Sequence, residues 1–160
     1  MNKNIFLNRE IILIKHLKGA PGLRFFGTGP NLLPCKGLYK LKKLLDKNTS
    51  WAKKRKLKDL KHCLANSDAI VSLWSNNKIL GFGRALSDGI YRSVLWDIVI
   101  DHQHQGKGYG KLIVKSLLES KKINQSEKVY LMTSTQKNFY CQIGFKEVLS
   151  QNLLIKNIKN

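Results

Sequence analysis

The spacing of apolar residues changes along the chain and first predicts two helices. From Cys35 to Ser67, leucines recur three or four positions apart, which is the spacing of a buried helix face. One stripe is Leu38, Leu41, Leu44 and Leu45, and the other is Leu57, Leu60 and Leu64. We expect two amphipathic helices here, with Ser50 as the N-cap of the second.

The first part of the chain has a less regular pattern. We separate residues 1–34 as an N-terminal segment from a single domain at 35–160. Within the segment, the apolar runs Ile11–Ile14 and Leu23–Phe26 indicate short strands, because turn-forming residues separate and follow them.

Three longer apolar runs predict an antiparallel meander. They are Ala69–Ser75, Lys78–Ser87 and Tyr91–Asp101. The dipeptides Asn76-Asn77 and Asp88-Gly89 separate them, and such residues tolerate the positive φ that tight hairpin turns require.

Shorter elements follow the meander. The pattern predicts a helix that ends near Lys121, a buried strand at Val129–Thr133 and a short helix at Gln136–Phe145. Two more strands, Phe145–Leu149 and Asn152–Ile158, would complete the sheet.

A glycine-rich stretch lies before the first of these helices. In HQHQGKGYGKLIV, every second position is glycine at Gly106, Gly108 and Gly110. The first N–H groups of a helix lack intrahelical acceptors and favour anions, and glycine removes the side chains that would keep a phosphate away. The stretch matches neither the P-loop nor the dinucleotide pattern, so by itself it indicates either an anion site or a flexible turn.

Composition adds a strong positive charge. The 29 Lys and Arg against 10 Asp and Glu give a net charge of +19. This charge would attract phosphates, nucleic acids, anionic membranes or acidic proteins. However, 24 Lys, 14 Ile and 13 Asn are residues with A/T-rich codons, so a biased genome is an equally good explanation.

The remaining composition excludes several classes of protein. Three cysteines, widely spaced and without a CxxC pair, speak against a disulfide framework or a zinc site and favour a reducing compartment. No apolar run approaches the roughly 20 residues of a membrane span, and the first residues do not resemble a signal peptide. We expect a protein that is not inserted in a membrane.

Two motifs carry a family resemblance. QGKGYG, from Gln105 to Gly110, has the form [QR]xxGx[GA], and FYCQIGF, from Phe139 to Phe145, has the form FYxxxGF. Both resemble the GNAT superfamily of N-acetyltransferases, in particular its cyanobacterial and chloroplast members. The resemblance implies an α+β fold with a mixed, mostly antiparallel sheet of about six to seven strands and about four helices. Its central strands, here Asp97–Asp101 and Val129–Thr133, would splay apart.

The resemblance also implies the cofactor site and the catalytic residues. Acetyl-CoA would serve as co-substrate, without a metal. Backbone groups of the strand before the glycine-rich stretch would pair with the pantetheine arm of acetyl-CoA, and the glycine-rich stretch would bind the pyrophosphate of acetyl-CoA. Tyr140 would protonate the departing thiolate; the alternative is that it is only a core aromatic of a short helix. Asp97 is the candidate base, and a chain of water molecules is the alternative route for the amine proton. The implied cofactor-binding residues are Ile98, Val99, Ile100, Gln105, Gly106, Lys107, Gly108, Tyr109, Gly110, Lys111 and Asn138.

Asn138 enters this set because the chain departs from the family pattern nearby. Many relatives carry Asn and Ala seven and four residues before the tyrosine, where this chain has Thr133 and Gln136. Asn138 is the candidate for the polar contact that this departure removes.

The expected function is therefore acetyl transfer to a primary amine. The acceptor would be a protein lysine or N-terminal amine, with an acidic protein as a candidate partner, or a small arylalkylamine. The alternative is a basic nucleic-acid-binding module whose domain of this type only senses coenzyme A; few aromatic residues lie between the lysines, so nucleic acid is the less favoured partner. The expected location is the chloroplast, where the protein would be encoded and used, with bacterial cytoplasm as the alternative.

Overall fold

The computed structural model describes residues 2–7 and 10–158, in which six strands form one sheet in chain order. All neighbouring strands are antiparallel except the last two, which are parallel. The strands are β1 Lys3–Phe6, β2 Ile11–Lys15, β3 Ala69–Ser75, β4 Lys78–Ser87, β5 Arg92–Ile100 and β6 Lys128–Tyr130. The predicted mixed, mostly antiparallel sheet is confirmed, including the meander from β3 to β5.

Helices cover both faces of this sheet. They are α1 Gly37–Asn48, α2 Leu57–Ala65, α3 Tyr109–Leu118, α4 Lys121–Asn124 and α5 Lys137–Gln142. Alternate β3 residues point to opposite faces, so Ile70 packs in the core with α1 and α2 while Val71 packs in the core with α3. The helices α3 and α4 form the crossover that a parallel β5–β6 pair requires. In the part of the chain that the structure describes, no helix is long and apolar enough to span a membrane.

A β-bulge interrupts the pairing of β4 and β5. Phe82 lies opposite Val99 and Arg84 opposite Trp96, so one residue of β4 faces two residues of β5. Asp97 lies at the bulge with a φ of 54°. The extra residue reverses the alternation of side chains along β5. The bulge therefore turns the end of β5 that leads into the glycine-rich loop at residues 101–108, the glycine loop.

Two predictions for the first half of the chain are wrong. The segment predicted as a strand at Leu23–Phe26 belongs to a π-helical turn at Gly22–Phe26. In this turn only Leu23 is buried, and both phenylalanines are exposed. Ser50 is not a helix N-cap: α2 begins after Lys56, and the residues between α1 and α2 are irregular. The structure also adds β1, which the apolar pattern did not indicate.

The last two predicted strands are also wrong. Within the described residues, neither Phe145–Leu149 nor Asn152–Ile158 forms a strand. Apart from the partly buried Phe145, their large apolar residues are exposed: Leu149 and Leu154 are each 88% exposed. An apolar run becomes a strand only where a neighbouring backbone pairs with it, and the sequence does not show whether one is available.

Candidate active site

The site begins where β5 and β6 separate. The two strands pair only over Arg92–Val94 and Lys128–Tyr130. Beyond that, β6 ends while β5 continues to Ile100. Within the described residues, no strand pairs with this side of Ile98, Val99 or Ile100. Such an edge offers backbone groups to an extended ligand, as an added strand would use them.

The loop at residues 101–108 is fastened to the end of β5. The Asp101 carboxylate accepts a hydrogen bond from the Gln103 N–H at 3.0 Å. The side-chain amide of Gln105 donates to the Ile100 carbonyl at 3.4 Å. The predicted cofactor residue Gln105 thus connects the loop to the open strand edge.

The three alternating glycines have two different structural reasons. Gly106 and Gly108 have φ values of 76° and 78°, and a methyl group added at either would meet nothing within 4 Å. At Gly110 the same methyl group would lie 3.1 Å from the Phe139 ring and 3.9 Å from Ile100. The first two glycines therefore supply a left-handed backbone with open space beside it, and the third lets α5 approach α3.

The start of α3 is suited to a phosphate group. Its first hydrogen bond runs from the Leu112 N–H to the Gly108 carbonyl at 3.1 Å, and the N–H groups before it lack intrahelical acceptors. No acidic residue lies in the first turn, and Lys107 and Lys111 are exposed beside it. Unpaired N–H groups, the helix dipole and two cations all favour negative charge here. Tyr109, the first residue of α3, is partly buried against the core on the α3 face.

Tyr140 lies on α5 next to Phe139, whose ring lies beside Gly110 at the start of α3. Its ring packs against Phe139 and Phe145, with ring centroids 4.9 and 5.8 Å away. Burial raises the pKa of the Tyr140 phenol above its usual value, so the hydroxyl keeps its proton at neutral pH. It is therefore available to donate a proton. Asn138 is exposed on the same helix.

Asp97 is held in a way that the sequence did not reveal. Its Oδ2 accepts hydrogen bonds from Arg84 Nε at 2.7 Å and from Arg55 Nη1 at 2.8 Å. Burial by itself raises the pKa of Asp97, but the two guanidinium groups outweigh it and leave the pKa below its usual value. A carboxylate in two ion pairs is a weak proton acceptor, so this geometry does not favour Asp97 as the base. A single carboxylate within the strand gave no signal that arginines distant in sequence would pair with it.

The structure brings most of the predicted cofactor residues together. The open edge of β5, the glycine loop, the start of α3 and the start of α5 meet around Gly110. Among the described residues, no group of three or more His, Cys, Asp or Glu could hold a metal ion. The arrangement offers backbone donors and acceptors, a cationic helix start and a protonated phenol.

Comparison with known proteins finds a matching family and several similar proteins. The family described as "Acetyltransferase (GNAT) domain" matches residues 59–147. An uncharacterized N-acetyltransferase, ycf52, from Gracilaria tenuistipitata is 32% identical over 145 residues, which is 85% of this chain and 75% of that protein. A histone acetyltransferase of Glycine max is 30% identical over 154 residues, 88% of this chain and 64% of that protein.

The similarity also extends to a chloroplast protein and to a solved structure. A chloroplastic GCN5-related N-acetyltransferase of Arabidopsis thaliana is 31% identical over 70 residues, 43% of this chain and 27% of that protein. A GNAT-family acetyltransferase structure from Xanthomonas campestris has a TM-score of 0.66 and 23% identity, and the match covers 82% of this chain and 90% of the other. This structural likeness supports the fold. The chain spans 64% of the length of the ycf52 protein of Pyropia yezoensis, so it matches only part of some relatives.

Proposed function

The chain belongs to the GNAT acetyltransferase family, and we propose that it transfers the acetyl group of acetyl-CoA to a primary amine. The observation that carries this proposal is the junction of the open β5 edge with the bare start of α3. One part suits an extended amide-containing arm and the other suits a diphosphate, and coenzyme A contains both in sequence.

We propose the following roles for the cofactor-binding residues. Backbone groups of Ile98–Ile100 pair with the pantetheine arm in the way that a further strand would. The N–H groups from Gly106 to Lys111 bind the pyrophosphate, and Lys107 and Lys111 add charge. Asn138, exposed on α5, supplies a further polar contact to the coenzyme. These roles follow the family resemblance, and the open geometry described above supports them.

The proposed reaction is a direct attack of the amine on the thioester. The neutral amine nitrogen forms a bond with the carbonyl carbon, and the carbon–sulfur bond then breaks. The Tyr140 hydroxyl, whose pKa burial raises, carries its proton at neutral pH, gives it to the departing thiolate and then regains a proton from solvent. We assign removal of the amine proton to solvent water, because Asp97 is engaged by two arginines.

The acceptor and the location are finer proposals. A relative named as a histone acetyltransferase supports a protein amine as acceptor over a small arylalkylamine. The chloroplastic relative, together with the Lys, Ile and Asn bias, supports action in a chloroplast, with bacterial cytoplasm as the alternative. The comparisons give no support to a non-catalytic nucleic-acid-binding module.

The variant Tyr140→Phe tests the reaction step. A positioned acid contributes about 10² to 10⁴-fold to a rate, so kcat with a lysine peptide should fall by a factor in this range. The affinity for acetyl-CoA, measured by calorimetry, should stay nearly constant because the ring still packs against Phe139 and Phe145. An unchanged kcat would remove Tyr140 from the mechanism, whereas a loss of coenzyme affinity would give it a binding role instead.

A further inference from the structure

A groove separate from the glycine loop lies on the α1 and α2 side of the molecule. The π-helical turn at Gly22–Phe26, the start of α1 and the first half of α2 form its walls, and its volume is about 880 Å³. Leu23 and Leu38 contribute buried apolar surface, and Leu57 is partly buried. None of the cofactor-binding or catalytic residues proposed above lines it.

The charge around this groove has one sign. Among the described residues that line it, five are cationic and none is acidic. The cations are Arg24, Lys36, Lys40, Lys58 and Lys61. A concave surface lined by one sign of charge concentrates ligands of the opposite sign. The groove is therefore suited to an anionic ligand.

Several of these cations are available for a ligand. Within the described residues, Lys36, Lys58 and Lys61 make no ion pair and no side-chain hydrogen bond, and all three are exposed. Lys58 and Lys61 are three residues apart on α2, so they project from one face of the helix.

The groove also exposes large aromatic side chains. Phe25, Phe26 and Tyr39 line it and are 64%, 72% and 63% exposed. The Arg24 guanidinium lies 4.3 Å from the centre of the Phe25 ring, which leaves the Phe26 ring to a ligand. Exposed aromatic residues next to arginine are typical of the points that dominate protein interfaces.

We propose that this groove binds an acidic peptide segment of a partner protein, with an apolar side chain inserted between acidic residues. The leucine-lined surface suits an aliphatic or aromatic anchor, and the surrounding cations suit carboxylates. A nucleic acid would place its phosphates near the cations and stack its bases on the exposed aromatic rings, but it would leave the aliphatic surface of Leu23, Leu38 and Leu57 unused, which an apolar peptide side chain covers. The proposal depends on none of the catalytic assignments.

Fluorescence anisotropy without acetyl-CoA tests the proposal directly. The probe is a short fluorescein-labelled peptide in which glutamates alternate with leucines and phenylalanines, titrated with the full chain. The double variant Lys58→Glu with Lys61→Glu should weaken binding about tenfold or more, because it reverses two charges at the groove. Lys146→Glu with Lys156→Glu changes the net charge by the same amount at exposed positions that do not line the groove. This control should change binding less than about threefold.

Two further comparisons separate the groove from general electrostatic attraction. Phe26→Ala should weaken binding, whereas Leu154→Ala, an exposed apolar residue outside the groove, should not. Replacing the peptide glutamates by glutamines should abolish binding. Equal losses in the two lysine double variants would overturn the proposal. It would also be overturned if a single-stranded oligonucleotide of equal charge bound more tightly than the peptide and depended on the same lysines.

Discussion

The substitution Gly108→Ala separates a binding role of the glycine loop from a structural one. Gly108 has a φ of 78°, and a methyl group there meets nothing within 4 Å, so the substitution creates no clash. The cost lies in the left-handed backbone, roughly 1–2 kcal/mol for an L-residue, offset by about 0.4–1 kcal/mol from the reduced freedom of the unfolded chain. We expect a net loss of about 1 kcal/mol in the free energy of unfolding.

A matched control is available in Gly89→Ala. Gly89 has a φ of 85° and equally open surroundings, but it lies in the turn before β5, away from the glycine loop. The entropy of unfolding is about 2.1 cal/mol/K per residue, or about 340 cal/mol/K for this chain, so 1 kcal/mol lowers the Tm by about 3 °C. Both variants should show this shift in a thermal melt.

Only Gly108→Ala should also weaken the binding of acetyl-CoA. If the loop backbone contacts the pyrophosphate, the added methyl group occupies the ligand's approach, and the Kd for acetyl-CoA in calorimetry should rise at least about tenfold, or ~1.4 kcal/mol. Gly89→Ala should leave the Kd unchanged. Equal Kd values for the two variants would refute the reasoning, because the loop would then be only a turn.

Two other predictions concern titratable groups and their pH dependence. Asp97→Asn should lower the free energy of unfolding by about 3 kcal/mol in urea titration, since Arg84 loses its buried counter-charge, while leaving the pH–rate profile superimposable on that of the wild type; a shifted profile would restore Asp97 as the base. Burial lowers the pKa of His16 from 6.5 to about 4, so the unfolded chain binds more protons between these values and stability should fall by up to about 3 kcal/mol as the pH drops from 6.5 to 4. His16→Gln should remove this fall and His62→Gln, at an exposed position, should not; a fall that persists in His16→Gln would assign it to other groups.

Local sequence patterns predict the parts of the fold that depend on local rules. The leucine stripes of α1 and α2 and the Asn76-Asn77 hairpin follow from helix periodicity and from turn chemistry, and the structure confirms both. Leu23–Phe26 failed because tertiary packing selected a helical turn for residues with strand propensity. The residues predicted as the last strands failed because pairing depends on a neighbour that no local pattern shows.

The glycines of the sheet and site also divide into those that local sequence explains and those that tertiary packing explains. The sequence predicted the loop at Gly106 and Gly108, because closely spaced glycines indicate a turn with positive φ. It gave no account of Gly81 and Gly83, where an added methyl group would lie 2.7 Å from Ile113 of α3. Alternate glycines on one strand face signal the close approach of another element, and that signal could have placed α3 over β4. No comparable local pattern indicated that Arg55 and Arg84 would form ion pairs with Asp97.

The most direct test of the central claim is release of the coenzyme A thiol from acetyl-CoA by the purified protein. The acceptor panel should contain lysine peptides, protein N-terminal peptides, serotonin, tryptamine and polyamines, with a reaction lacking any amine as the blank. We predict thiol release that rises with amine concentration and saturates, together with an acetylated acceptor in the mass spectrum. No release with any amine, and no saturable binding of acetyl-CoA, would contradict the account.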